Sequence, residues 1–339
     1  MAESLLLGMD GGGTKTDFVV IDREGRVAAR HRESGAYHLQ IGVEGLRDIM
    51  GRGLAAIFGK LALSGDAIEH AFFGLPAYGE DNSLQPRLDE MPAEFLGHHR
   101  YRCGNDMVST WAGSLAGEDG IGIVAGTGSI GYGERTGRTA RAGGWGELFS
   151  DEGSAFWIAT QGLNAFSRMA DGRMPRGPLH GILLGAFGLT EELELCAYLA
   201  AGEGPTRDRI ASFSPLVAQA ADAGDEQALA IFTAAGRELA AIAGSLRKSL
   251  GFRTGEQVPL SYSGGVFETG ERILAPFRRS LKDHSADFDL RKPLLPPGAG
   301  AALYAARDCG RPLTSGAIAR LRDHFASAAN ALGISPPAV

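Results

Sequence analysis

Cysteine is scarce in this chain. Its three thiols, Cys103, Cys196 and Cys309, are widely separated and odd in number. They form no C-x-x-C pair and no zinc spacing, which excludes a disulfide framework and suits a reducing, cytoplasmic setting. No uninterrupted apolar stretch of about 18 residues is visible, so no membrane span is expected. A basic surplus is also missing: 33 Lys and Arg against 40 Asp and Glu leave a net charge of -7. A nucleic-acid partner would require a basic patch, so none is expected. Met1–Ser4 carries no basic region and leads directly into apolar residues, so no secretory leader is expected. The histidines lack H-E-x-x-H or any similar spacing. His70, His98, His99, His180, His284 and His324 read as structural or solvent-exposed.

What is present is enough apolar material, 44% of 339 residues, for about two domains with cores of their own. The chain is organised around LLLGMDGGGTKTDFVVID, Leu5–Asp22. An apolar strand ends in the carboxylate of Asp10. Gly11, Gly12 and Gly13 follow, then Thr14 and Lys15, and a second strand runs on from Phe18 to Ile21. Consecutive glycines remove every β-carbon where the backbone turns, so main-chain N–H groups can approach an anion. Thr14 adds a hydroxyl, Lys15 a cation, and Asp10 an oxygen ligand suited to Mg²⁺. Walker and dinucleotide loops space their glycines differently and open a helix, whereas here the β-rich run continues as strand. The stretch reads as a phosphate-binding hairpin.

The pattern returns at Gly120–Ala125, where a strand meets the turn Gly126-Thr127-Gly128-Ser129 and comes back along Ile130–Gly133. Two glycine-turned hairpins imply a duplicated unit. Between them, helical spacing marks Val43–Lys60, and Ala71–Leu75 reads as a buried strand closed by Pro76. Arg100–Cys103 reads as another strand, with a helix from Asp106 to Leu115. Further on, helices are expected at Trp157–Met169, at Thr190–Ala200 with Thr190 as cap, over Asp225–Leu250 and from Thr269 to Leu281. Strands are expected at Val258–Ser261 and Phe288–Leu290. Gly298–Asp308 and Ser315–Leu332 finish as helices, and Pro336-Pro337 marks a frayed end.

Among residues able to do chemistry, Asp106 follows a strand at a helix start. It can serve as a general base held rigidly, or Asn105-Asp106 can simply cap the helix, Asp being a favoured N-cap, and one carboxylate can serve both roles. Asp151 and Glu152 in SDEGSA form a second carboxylate pair. Trp145, by residue type alone, can pack into a core. Gly264-Gly265 can allow a ligand close to the backbone or connect a strand to a helix.

The motifs MDGGGTKTDFVVID, AGTGSIGYG, GGWGELFSDEGSAFWI and SYSGGVF stand in this order. They resemble the sugar-kinase branch of the actin/Hsp70/hexokinase superfamily. More narrowly, they are similar to the N-acetylglucosamine kinase group within the BadF/BadG/BcrA/BcrD ATPases. The resemblance runs to about residue 310. It implies an α/β fold of two RNase H-like (actin-like ATPase) domains flanking a nucleotide cleft: residues 1–116, and a larger 117–339 whose last helix can pack back on the first. It implies an ATP- and Mg²⁺-dependent kinase acting on a hydroxyl, usually O6, of an amino sugar such as N-acetylglucosamine or glucosamine.

In that reading Asp10 holds Mg²⁺ through water. Gly11, Gly12, Gly13, Thr14 and Lys15, with Gly126, Thr127, Gly128 and Ser129, grip the phosphates, while Gly264 and Gly265 border the adenosine. Asp106 is the catalytic base. Asp106, Thr127, Gly144, Trp145 and Asp151 meet the sugar. The partners implied are the amino sugar and ATP, and the family habit allows a homodimer. The sequence departs from the family where N-acetyl-binding members carry Asn: the loop Glu33–Gly42 has none, and Ile130 follows Ser129. His38 and Gln40 are the candidates to replace those polar contacts, although a solvated His is the commoner case in a loop. Two other readings share the scaffold: an ATPase activator of a 2-hydroxyacyl-CoA dehydratase or benzoyl-CoA reductase, and a non-catalytic sugar or nucleotide sensor. The activator would need a cysteine just before A-G-T-G, where Ile123-Val124-Ala125 stand.

Overall fold

Leu5, Leu6, Leu7 and Met9 are all buried, as an apolar run must be when both faces of its sheet are covered. They belong to β1 (Leu5–Gly11), the middle strand of a five-stranded sheet. The computed structural model describes residues 4–202, 204–284 and 287–331; the end expected to fray at Pro336-Pro337 lies outside them. Two compact units result, Met1–Asp119 with Lys292–Val339, and Gly120–Arg291.

In the first unit, β2 (Lys15–Asp22) and β3 (Val27–Ser34) extend the sheet antiparallel from β1, while β4 (Ile68–Leu75) and β5 (Tyr101–Asn105) extend it parallel on the other side. Leu5, Leu7 and Met9 point into one core with Leu46, Met50 and Ile57 of the helix His38–Leu61. Gly8, out of phase with them, meets the helix Pro297–Asp308 instead.

The second unit repeats the plan. β6 (Gly120–Ala125), β7 (Ser129–Arg135) and β8 (Arg138–Gly143) form an antiparallel meander; β9 (Val258–Ser263) and β10 (Phe288–Arg291) add parallel strands beyond β6. The orders β3-β2-β1-β4-β5 and β8-β7-β6-β9-β10 are the same order, so the duplication read from two glycine turns is a duplication of topology. The fold is α/β, with two RNase H-like units of the actin-like ATPase type.

Three features differ from the sequence reading. The stretch after Arg291 groups with the first unit, whereas the sequence division placed 117–339 together and let only its last helix pack back on the first. The reason is small residues: a β-carbon on Gly300 would fall 2.2 Å from the Ser109 carbonyl oxygen and 2.3 Å from the Gly113 nitrogen. Only a glycine lets the helix Pro297–Asp308 seat so closely on the helix Asp106–Leu115. Second, the helix expected from Thr190 starts at Glu194, because the Glu194 carboxylate folds back to accept from the Thr190 and Glu191 amides at 2.8 and 3.1 Å. Third, the helix Glu226–Ser249 is by length and composition apolar enough to cross a membrane, a feature the search for uninterrupted apolar runs overlooks. Half of that apolar window is buried inside this unit, where Phe232, Leu239 and Leu246 join the core. Asp225 caps its start, accepting from the Gln227 and Ala228 amides.

Candidate functional sites: a glycine hairpin with carboxylates in each unit

The first hairpin closes as its residue types require. The Gly12 amide donates to the Lys15 carbonyl at 2.9 Å and the Ala36 amide to the Gly12 carbonyl at 2.9 Å. Gly13, Thr14 and Lys15 are exposed at its tip. A β-carbon on Gly35 would sit 2.0 Å from the Gly13 carbonyl oxygen, so the next loop crosses directly behind the tip. Gly11 is buried against Gly74 and Pro76.

Asp10 lies opposite Asp17 across β1 and β2 and beside Gly74 of β4. Burial pushes its carboxyl well above the ordinary range, and the negative charges of Asp106 and Asp17 push it further. Ser109 and Lys15 favour the charged form but do not offset this. A carboxylate kept near another in a desolvated site is the electrostatic condition that a bound cation relieves. Among the described residues no group of three or more His, Cys, Asp or Glu side chains could hold a metal alone. Mg²⁺ commonly takes only one or two protein carboxylates together with substrate phosphates. Asp10 and its neighbour Asp106 therefore fit such an ion.

Asp106 is the first residue of the helix Asp106–Leu115, and Asn105 is its cap: the Asn105 side-chain oxygen accepts from the Met107 amide at 3.1 Å. Capping, the alternative role open to Asp106, is thus performed by its neighbour. Gly74 makes the approach possible, since a β-carbon there would fall 2.3 Å from the Ser109 hydroxyl and 3.3 Å from the Asp106 α-carbon. His38 is buried, not solvated, and burial lowers its tendency to protonate. Gln40 is exposed.

In the second unit the Gly126 amide donates to the Gly128 carbonyl at 2.9 Å. The Ala155 and Phe156 amides, at the start of the helix Ala155–Ala170, donate to the Gly126 and Thr127 carbonyls at 2.8 and 3.3 Å. Ser129 is buried and turned inward. Its hydroxyl donates to the Glu152 carbonyl at 2.7 Å and its amide to Asp151 at 3.4 Å. Gly126, Thr127 and Gly265 line one pocket of about 670 Å³, walled also by Val266, Phe232 and the Asp222–Arg272 ion pair. Gly264 serves the backbone: at φ +99° it passes so close to β6 that a β-carbon would lie 2.4 Å from the Ala125 carbonyl oxygen. Gly265 has open space beside it.

Trp145 is 74% exposed, which removes core packing as its role. Gly144, at φ +70°, lies against Ile130. Asp151 is only 2% exposed and takes φ +59°, rare for a residue with a side chain. Burial raises its pKa, and Arg207 works in the opposite direction. Arg207 had no place in the sequence reading; no local pattern marks a residue that acts across 56 positions of chain. Cys103, on β5 itself, is buried, and its thiol is pushed far upward by desolvation.

The model of the BadF/BadG/BcrA/BcrD ATPase family matches residues 7–305. An N-acetyl-D-glucosamine kinase of Dictyostelium discoideum is 28% identical over 314 residues, 90% of this chain and 98% of that one. An N-acetylmuramic acid/N-acetylglucosamine kinase of Clostridium acetobutylicum is 26% identical over 306 residues, 90% of this chain and 99% of its own. A crystal structure from Chromobacterium violaceum, assigned as an N-acetylglucosamine kinase, matches with a TM-score of 0.70 at 26% identity, covering 89% of this chain and 99% of that one. A ROK family glucokinase from Streptomyces griseus, in complex with glucose and AMPPNP, shares the fold with a TM-score of 0.54 at 20% identity, covering 90% and 99% of the two chains. The matched span takes in both hairpins, Asp106, Asp151 and the Gly264-Gly265 pair. This chain belongs to the BadF/BadG/BcrA/BcrD ATPase family.

Proposed function

We propose that the chain is an ATP-dependent kinase that phosphorylates a hydroxyl, O6 by resemblance, of an amino sugar such as N-acetylglucosamine or glucosamine. The observation that carries the reading is the Asp10–Asp106 carboxylate pair beside a glycine hairpin, with Asn105 relieving Asp106 of the capping role. The names of the relatives in Dictyostelium and Clostridium support the same substrate class.

Phosphoryl transfer asks mainly for positioning and charge neutralisation. The sugar hydroxyl oxygen forms a bond to the γ-phosphorus, the bond from that phosphorus to the β,γ-bridging oxygen breaks, and ADP leaves with the electron pair. Asp106 accepts the hydroxyl proton as the new bond forms. The amides of Gly13 and Thr14 and the Lys15 ammonium bind phosphate oxygens, a role supported by the exposure of these residues at the hairpin tip. Gly126, Thr127 and Gly265 border the pocket assigned to the nucleoside. Gly128 contributes the close backbone of the second turn; Ser129 contributes its position and not its hydroxyl, which is already used within the fold. Asp151 accepts from sugar hydroxyls, with Gly144 and the exposed Trp145 beside it. Mg²⁺, held by Asp10 through water, would neutralise the β- and γ-phosphates.

The test is ADP release measured over a panel of N-acetylglucosamine, glucosamine, N-acetylmuramic acid and glucose, with a sugar-free control. Release that depends on an amino sugar is expected. Release independent of sugar, or none with any of the four, would refute the reading. The panel also ranks the N-acetyl group, for which the loop at residues 33–42 offers no Asn.

A further inference from the structure

Arg207 opens the short helix Arg207–Ala211, yet its guanidinium lies at the second hairpin. Its Nη2 donates to the Asp151 carboxylate. Its Nε, buried and without a hydrogen bond among the described residues, lies 3.4 Å from a carboxylate oxygen of Glu147. A β-carbon on Gly128 would fall 2.1 Å from Nη2 and 2.7 Å from the Asp151 carboxylate. The missing side chain of Gly128 is therefore what makes room for the ion pair. Three segments meet at one guanidinium: the glycine turn, the stretch from Glu147 to Asp151, and a helix far along the chain.

Asp151 needs such support. A residue with positive φ persists where its surroundings over-determine it, and a buried carboxylate otherwise gives up its charge. The loop before it cannot rely on apolar packing, since Trp145, Leu148 and Phe149 are 74%, 89% and 73% exposed. Its ties are polar: Arg141 donates to the Gly144 carbonyl, and Glu147 faces Arg207.

We propose that Arg207 is a positioning residue for the acceptor sugar. It fixes the Asp151 carboxylate for the sugar hydroxyls and, through Glu147, ties the Trp145-bearing loop to the same point. The inference rests on the function proposed above, in which Asp151 meets the sugar. The charged groups facing Asp151 are Arg207, which favours its ionised form, and Glu147, which opposes it. Without Arg207 the carboxyl holds its proton to higher pH.

The experiment compares the wild type with Arg207→Met and Arg207→Lys, determining KM for the sugar, KM for ATP, and kcat/KM for the sugar against pH, with melting temperature as a check on folding. Arg207→Met is expected to raise the sugar KM at least tenfold and move the acid limb of kcat/KM to higher pH, with the ATP KM within threefold. Arg207→Lys, which keeps the charge but not the fork, is expected to restore the acid limb and part of the KM. An unchanged acid limb and sugar KM in a folded Arg207→Met protein overturns the inference alone. So does an equal rise in both KM values, which marks a general structural role. A wild type inactive on every amino sugar overturns the function itself, and this inference with it.

Discussion

The side-chain oxygen of Asn105 accepts the Met107 amide at 3.1 Å, so the helix at Asp106 is capped by the residue before it. Losing the Asp106 carboxylate should therefore spare the helix. Asp106→Asn is expected to lower kcat by at least about 100-fold, the usual scale for a proton acceptor, while ATP affinity stays within threefold and the melting temperature does not fall. Steady-state kinetics beside calorimetric ATP titration check this. A mutant within threefold of wild-type kcat would take Asp106 out of the base role.

Gly8 faces the backbone of the helix Pro297–Asp308, where a β-carbon would lie 2.1 Å from the Ala302 nitrogen. Neither strand nor helix backbone can yield by that much, so a single methyl group forces them apart. Gly8→Ala is expected to cost about 3 kcal/mol, at the upper end for overpacking. Urea unfolding would register it as a lower midpoint at an unchanged slope. A loss under about 0.5 kcal/mol, the size of an ordinary surface change, would contradict this packing.

The hairpins could be read directly because turn chemistry and β-rich runs are local signals. Once two were seen, a repeated sheet followed. Asp10 drew notice by residue type beside the glycines, whereas position left Asp106 open between base and cap. What escaped depends on contacts between distant segments. The Gly- and Ala-rich Pro297–Asp308 stretch reads as a helix, but nothing local tells which sheet its small face seats on. Ser129 looks like a phosphate-loop hydroxyl until strand alternation turns it inward to Glu152. His38 looks like a solvated loop residue, and the fold buries it. Arg207 sits among ordinary charged residues of the chain and gains meaning only through Asp151 and Gly128.

Glu69 on β4 receives Arg23 at 2.9 Å and Arg311 at 2.7 Å, binding the segment after Pro297–Asp308 to the first sheet. These partners, with the Arg23 hydrogen bond foremost, hold its carboxyl down from 4.5 to about 2. A folded-state value below the unfolded one gives stability that is full above the unfolded value and fades as pH falls toward the folded value. Glu69→Gln is therefore expected to be less stable than wild type at pH 7 by about 1–2 kcal/mol, after allowing for partial exposure. The difference should shrink below pH 4.5 and vanish near pH 2. Denaturant titrations at several pH values across that window test it; a constant difference down to the acid end would rule out the linkage.

Asp10 presents the opposite balance. Burial and the charges of Asp106 and Asp17 raise its pKa, so the ionised group costs the folded state energy at neutral pH. A carboxylate kept at such a cost is characteristic of sites where stability yields to function. Asp10→Asn keeps the shape and removes the charge, and the protein without added cation should become more stable. Turnover should fall at least tenfold, because the oxygen ligand proposed for Mg²⁺ becomes a neutral amide. The two effects separate cleanly in a thermal melt with and without Mg²⁺ and a non-hydrolysable ATP analogue. Wild type should gain melting temperature from the pair, and Asp10→Asn should begin higher and gain less. A variant that is both less stable and equally responsive to Mg²⁺ would show that Asp10 supports the fold and not the metal.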